Sequence, residues 1–122
     1  MSKFTINGRL PGLNEIIDSS KAHWNNYRQL KLEAMILTKY AIRQHRLKKM
    51  TNSKVSLKIA CYEPNAKRDP DNVWSGAGKV ILDALKQSEI ITDDSQKYIN
   101  GIEYSIGVDR LNPRIEVEIQ EA

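Results

Sequence analysis

The chain holds one cysteine, Cys61, and two histidines, His23 and His45, in 122 residues. A single thiol forms no disulfide within the chain, and its neighbours Ile59, Ala60 and Tyr62 mark it as buried in a protein of a reducing compartment. Neither histidine stands at zinc-ligand spacing from the other or from Cys61, which argues against a zinc centre and leaves both as surface or partly buried helix residues. Gly-rich phosphate loops, internal repeats and low-complexity stretches are lacking. No segment approaches the roughly 18 apolar residues of a membrane span, and residues 1–20 lack the basic-then-apolar order of a secretory signal. A soluble, cytoplasmic protein with no membrane partner is expected.

The length suits one domain, residues 1–122, with a core able to stand without disulfides. A net charge of +4 is compatible with nucleic acid but decides nothing by itself. Lys3 to Arg9 alternates as a short strand that ends at Pro11 and Gly12. From Leu13 to about Leu47 there is no proline or glycine, and Leu30, Ala34, Leu37 and Ala41 recur at helical spacing, supported by Tyr27 and Tyr40. Asp18, Ser19 and Ser20 supply N-cap residues, which predicts a break there and a main helix from near Lys21. Lys54 to Tyr62 reads as a half-buried strand with Val55, Leu57, Ile59 and Cys61 inward. Asn72 to Lys86 carries an apolar stripe of helical period, weakened by Gly76 and Gly78, which therefore need a packing or functional reason. Lys97 to Val108 and Pro113 to Gln120 read as strands, and the short loop between them predicts an antiparallel hairpin. The expected fold is α+β: a small, mainly antiparallel sheet of about four strands with two principal helices.

The run Lys67, Arg68, Asp69, Pro70, Asp71, Asn72, with Asp93 and Asp94 beyond the following helix, is the chemical centre of the sequence. Carboxylates that converge repel one another, so a sequence that gathers them usually holds a cation. The adjacent Lys67 and Arg68 would repel that cation but attract a polyanion, which points to a metal-dependent site acting on phosphate. Plainer readings stand beside this one. Asp69 before Pro70 is also a helix start, with Asp as N-cap and Pro at the first helical position. Lys79 shares a helix face with Asn72, Ser75 and Asp83, and forms either an exposed pair with Asp83 or a cation facing a metal-bound phosphate. Asp93 and Asp94 are turn formers, or Asp94 returns beside Asp69 and Asp71. Trp74 packs or stacks on a base. Lys39, Arg43, Arg46, Lys48 and Lys49 form a basic end to the long helix, solvated or in contact with phosphate.

The order Arg68-Asp69-Pro70-Asp71-Asn72, then Lys79 with Ile81 to Leu85, then Ile91-Thr92-Asp93-Asp94, resembles the RusA family of Holliday junction resolvases. The likeness is close over residues 67–94 and extends in outline over most of the chain, including a turn with Asn14. It implies a RusA-like fold in which Asp69, Asp71 and Asp94 bind Mg²⁺, with Mn²⁺ as a substitute, and Lys79 assists. The family lysine follows the Asp-Asn pair more closely, so Val73 to Gly78 holds about one extra helical turn here. The resemblance further implies a homodimer that resolves four-way junctions by paired nicks in DNA recombination and repair, a two-fold assembly suiting two symmetric cuts. In that mechanism the metal activates water and stabilises the leaving 3′ oxygen, while Lys67, Arg68 and Asn72 meet the DNA. The alternatives are a branched-DNA-binding protein of the same fold without catalysis, and a nuclease for flaps and other branched DNA.

Overall fold

The computed structural model describes residues 2–22 and 24–121, with the side chains of residues 18–27 outside that description. Its elements are β1 (Ser2–Asn7), α1 (Leu13–Ala22), α2 (Trp24–Gln44), β2 (Val55–Glu63), α3 (Pro70–Gln87), β3 (Ile99–Val108) and β4 (Arg114–Glu121). The helical stretch is described as α1 and α2 on either side of residue 23, which lies outside the described residues, and α1 runs through Asp18 to Ser20, where a break was expected. The expectations for capping by those residues, for the Tyr27 side chain and for His23 lie outside the described residues.

The strands form one sheet in the order β1-β4-β2-β3. Inward positions alternate as the sequence requires: Val55, Leu57, Ile59 and Cys61 of β2 and Ile115, Val117 and Ile119 of β4 are all buried. The helices cover that face with Ala34, Met35, Ala41 and Ile42 from α2 and Val73, Ala77, Val80, Ile81, Ala84 and Leu85 from α3. Each large apolar side chain so buried contributes about 1.5–3 kcal/mol. The opposite face is polar, with Lys3 paired to Glu118 at 3.3 Å and Lys58 to Glu103 at 3.7 Å between neighbouring strands.

The predicted hairpin of the last two strands is not present. β2 lies between them, antiparallel to β4 and parallel to β3. Parallel neighbours need a long crossover, and α3 supplies it as the middle of a β2-α3-β3 unit. The loop from Asp109 to Pro113 steps across the end of β2: the Asp109 N–H donates to the Glu63 carbonyl at 2.8 Å, and the Arg114 guanidinium lies 4.0 Å from the Tyr62 ring centroid. A two-residue turn would have forced adjacency, whereas this longer loop spans two strand spacings of about 4.8 Å each.

The two helix glycines have packing reasons. A Cβ on Gly76 would run into the Pro11 carbonyl oxygen and the Gly12 backbone, and one on Gly78 would strike the Tyr104 hydroxyl. Close approach to the turn before α1 and to β3 thus offsets the helix cost of about 1 kcal/mol per glycine.

Candidate active site

Glu63 ends β2 at the position where alternation points a side chain inward, and it is buried. A buried carboxylate needs a partner, and Arg68 provides one from the loop that follows. Arg68 donates from Nε to Glu63 Oε1 at 2.7 Å and from Nη2 to Oε2 at 2.9 Å. Its Nη1 donates to Glu15 Oε1 at 2.6 Å and to the Leu10 carbonyl at 3.1 Å, while Arg9 adds a contact to Glu63 at 3.4 Å. Burial works to lower the Arg68 pKa, but the bonds to Glu63 and Glu15 more than offset it and hold the group above its ordinary value. Glu15 also accepts the Gly12 N–H at 3.3 Å, closing the turn into α1.

Arg68 was expected on DNA, and its geometry assigns it elsewhere. With 12% of its side chain exposed and its donors turned inward, it ties β2, the turn before α1 and the start of α3 together. Asn72, also expected on DNA, accepts the Asn14 N–H at 2.7 Å and joins the first turns of α3 and α1. Lys67 differs: it is exposed, and its ammonium forms no ion pair among the described residues.

Asp69 occupies the N-cap position of α3 with extended backbone, and Pro70 takes the first turn as expected, yet the Asp69 carboxylate makes no cap hydrogen bond. Asp71 follows in the first turn, where the helix dipole favours negative charge. Both are exposed. Two carboxylates with one residue between them therefore stand in solvent at one helix end, above a base fixed by Arg68.

Lys79 lies about 12 Å further along the helix axis than Asp71, beyond the reach of a lysine side chain to that pair. It borders a small cleft with Pro11, Ile16, Leu30 and Met35, and its ammonium is 4.0 Å from Asp83, so the plain i, i+4 pairing is present. Trp74 packs: its ring stacks on Tyr104 at 5.7 Å between centroids, and its Nε1 donates to the Ser105 carbonyl at 3.1 Å.

Asp93 and Asp94 lie beyond the other end of α3. Lys86, in its last turn, contacts Asp93 at 3.0 Å. That bond to Lys86, followed by the Asp94 backbone N–H, holds the Asp93 carboxyl below its ordinary pKa, and Asp93 in turn raises Lys86, with Asp94 adding to the effect. About 22 Å of helix separates Lys86 from Asp71. The expected return of Asp94 beside Asp69 and Asp71 is not seen within one chain, because α3 is the crossover between the parallel strands β2 and β3 and its two ends lie at opposite ends of the sheet. Among the described residues, no three His, Cys, Asp or Glu side chains form a group able to hold a metal ion. Of the three acids expected to hold Mg²⁺, the described residues of one chain bring Asp69 and Asp71 to one end of α3 and leave Asp94 at the other.

Basic side chains accompany the Asp94 end. Lys39, Arg43 and Arg46 line a cleft with Ile42, Leu47, Gln87, Ser88 and Ile90, between the C-terminal ends of α2 and α3. Glu63 and Glu15 escaped the sequence reading. For Glu63 a signal existed: a carboxylate at the fifth inward position of an alternating strand requires a cation, and Arg68 is nearby. Glu15 gave none, because an acidic residue in a first helical turn is ordinary.

No helix among the described residues is long and apolar enough to cross a membrane. Comparison with curated proteins returns no match. The family model described as Endodeoxyribonuclease RusA matches residues 19–120, a span that takes in Asp69, Asp71, Lys79 and Asp94, and the chain belongs to that family.

Proposed function

We propose that this protein is an endodeoxyribonuclease that resolves four-way DNA junctions in recombination and repair, depends on Mg²⁺ and works as a homodimer. The observation that carries the reading is the Asp69 carboxylate. At a helix start that would ordinarily use it as a cap, it makes no cap hydrogen bond and stands exposed beside Asp71. Within a family of endodeoxyribonucleases, an uncommitted carboxylate pair on a rigid base suits phosphodiester cleavage.

Lys67 contacts the DNA backbone near the pair, and the cleft of Lys39, Arg43 and Arg46 offers a second phosphate-binding surface. Arg68 and Asn72 act by holding the loop and helix start in place. Because the described residues of one chain form no three-donor group, no hydrolytic step through the metal is assigned to it.

The test is incubation of a synthetic four-way junction with the protein and Mg²⁺ or Mn²⁺, read by denaturing gel. Paired nicks are expected, lost in Asp71→Asn while junction binding persists. One observation favours a second reading, a branched-DNA-binding protein without catalysis: no three-donor group is found among the described residues of one chain. Binding without cleavage under either metal would establish that reading and end the first.

A further inference from the structure

The loop between β3 and β4 is held by several hydrogen bonds, yet it carries an apolar side chain out into solvent. The Asp109 carboxylate accepts the Asn112 N–H at 3.2 Å and the Arg114 guanidinium at 2.8 Å, and the same Arg114 nitrogen donates to the Asn112 carbonyl at 3.0 Å. The Pro113 carbonyl accepts the Gly8 N–H at 2.9 Å, which ties the loop to the end of β1. At the tip Leu111 is 96% exposed, whereas the next most exposed large apolar side chain among the described residues, Tyr40, is 61% exposed. Arg110 beside it is also exposed.

The turn itself does not need leucine. Asp109 and Asn112 satisfy its backbone, and its central positions accept polar residues equally well. Single apolar side chains on a surface are ordinary, so exposure alone assigns nothing. The place of this one does. The Asp109 N–H donates to the Glu63 carbonyl at 2.8 Å, while the Glu63 side chain holds Arg68, the residue before Asp69. Because β2 and β3 are parallel and Glu63 pairs with Val108, Leu111 and the Asp69-Asp71 pair rise from one anchor at the same end of the sheet.

Resting on the nuclease reading above, we propose that Leu111 is a wedge that selects branched DNA: it enters the crossover of a four-way junction against the base pairs at the branch point, while Arg110 meets the adjoining phosphates. A leucine driven into linear duplex must first unstack a base step, whereas the pairs that border a branch point are already open on one face. The apolar contact is thus gained without that cost only where strands exchange. A loop already fixed in the free protein suits the role, because little has to be ordered on binding. Anchored with the carboxylate pair on Glu63, it also sets how far from the branch point the cut falls.

The test uses the full chain carrying Asp71→Asn, so that binding is read without cutting, and a synthetic four-way junction with 2-aminopurine at the branch point. Binding should raise its fluorescence, Leu111→Ser should abolish the rise, and Leu111→Phe should keep it. In competition with linear duplex, Leu111→Ser should lose at least about 10-fold in junction affinity, the scale of burying a leucine, with duplex affinity unchanged. The urea midpoint should not move, since the side chain is 96% exposed. Arg110→Ala should instead weaken junction and duplex alike and reduce the salt slope of binding by about 1.

No rise with Leu111 in place, a rise that survives in Leu111→Ser, or a loss shared equally by junction and duplex would overturn the wedge. An unchanged salt slope in Arg110→Ala would overturn the phosphate contact. Failure of the nuclease reading looks different. In the chain with Asp71 restored, a Leu111-dependent rise without nicks under Mg²⁺ or Mn²⁺ would end that reading and leave the wedge standing. Paired nicks that keep their preference for junctions in Leu111→Ser would end the wedge alone.

Discussion

Arg68 and Glu63 meet through two parallel N–H···O bonds, 2.7 and 2.9 Å long, at the end of the strand that leads to the carboxylate pair. The fork geometry of a guanidinium matches a carboxylate in this way and an ammonium does not. With Glu63 removed, Arg68 keeps only Glu15 and the Leu10 carbonyl as acceptors, and with Arg68 removed, buried Glu63 keeps only the longer contact to Arg9. Glu63→Ala is expected to lower stability by about 3–5 kcal/mol in urea denaturation, whereas the double change Glu63→Leu with Arg68→Met should cost much less. Similar losses in both proteins would deny the pair its anchoring role.

Gly76 and Gly78 should respond differently to a methyl group. Helix propensity alone favours alanine by about 1 kcal/mol at each position. At Gly76 the obstacle is the backbone of Pro11 and Gly12, which cannot move aside, so Gly76→Ala should destabilise by about 2 kcal/mol or more. At Gly78 the obstacle is the Tyr104 hydroxyl, with the ring carbon behind it at 3.3 Å. Tyr104→Phe should therefore recover most of the loss in Gly78→Ala, a coupling readable from a double-mutant cycle of thermal melts.

The sequence made the individual elements legible where period and composition agreed. β2 and β4 alternate cleanly because one face of each is buried, and the α3 stripe keeps a 3.6 period because it covers them. The order of strands was not legible, since β2 is apolar enough to be central but nothing local says which neighbour it takes on each side. Asp69 and Asp71 could be read as a pair from their spacing. Their distance from Asp94 could not, because it depends on α3 running the length of the sheet without a break. The inward turn of Arg68 also depended on a distant fact, the burial of Glu63.

The Cys61 thiol is pushed up from 9.0 to about 11, chiefly by burial, with Glu63 adding to the shift. A raised folded-state pKa means that the unfolded chain releases this proton first as pH rises. The contribution of the neutral thiol to stability is therefore complete below about pH 9 and is lost as pH climbs towards about 11. Two outcomes are expected: slow alkylation of the folded protein at pH 8–9 that accelerates in urea, and a steeper alkaline loss of stability than in Cys61→Ala. Rapid alkylation of the native protein would contradict the burial.

Lys86 and Asp93 form an exposed pair at 3.0 Å that orders the turn holding Asp94. The Asp93 carboxyl is depressed, so what it adds is present above its unfolded pKa and fades as pH falls through the lower folded value. Being exposed, the pair is also screened by salt. Asp93→Asn is expected to leave global stability nearly unchanged while loosening the turn, visible as faster amide exchange at Asp94 and Ser95. Unchanged exchange there would remove Lys86 and Asp93 from the positioning of Asp94.

Asp69 provides the sharpest separation of structure from chemistry. An N-cap aspartate that bonds to its helix is worth about 0.5–2 kcal/mol, and its loss would be seen in any stability measurement. Here the carboxylate makes no such bond, and Pro70 already presets the first turn. Asp69→Ala should therefore cost less than about 0.5 kcal/mol, since the cap bond is absent from the start. Junction cleavage, in contrast, should fall by at least about 100-fold, the upper range for disturbing even the outer partners of a metal site. Urea denaturation and a junction-cleavage time course on the same preparation give both numbers. A stability loss of about 1–2 kcal/mol with cleavage retained would make Asp69 a cap after all.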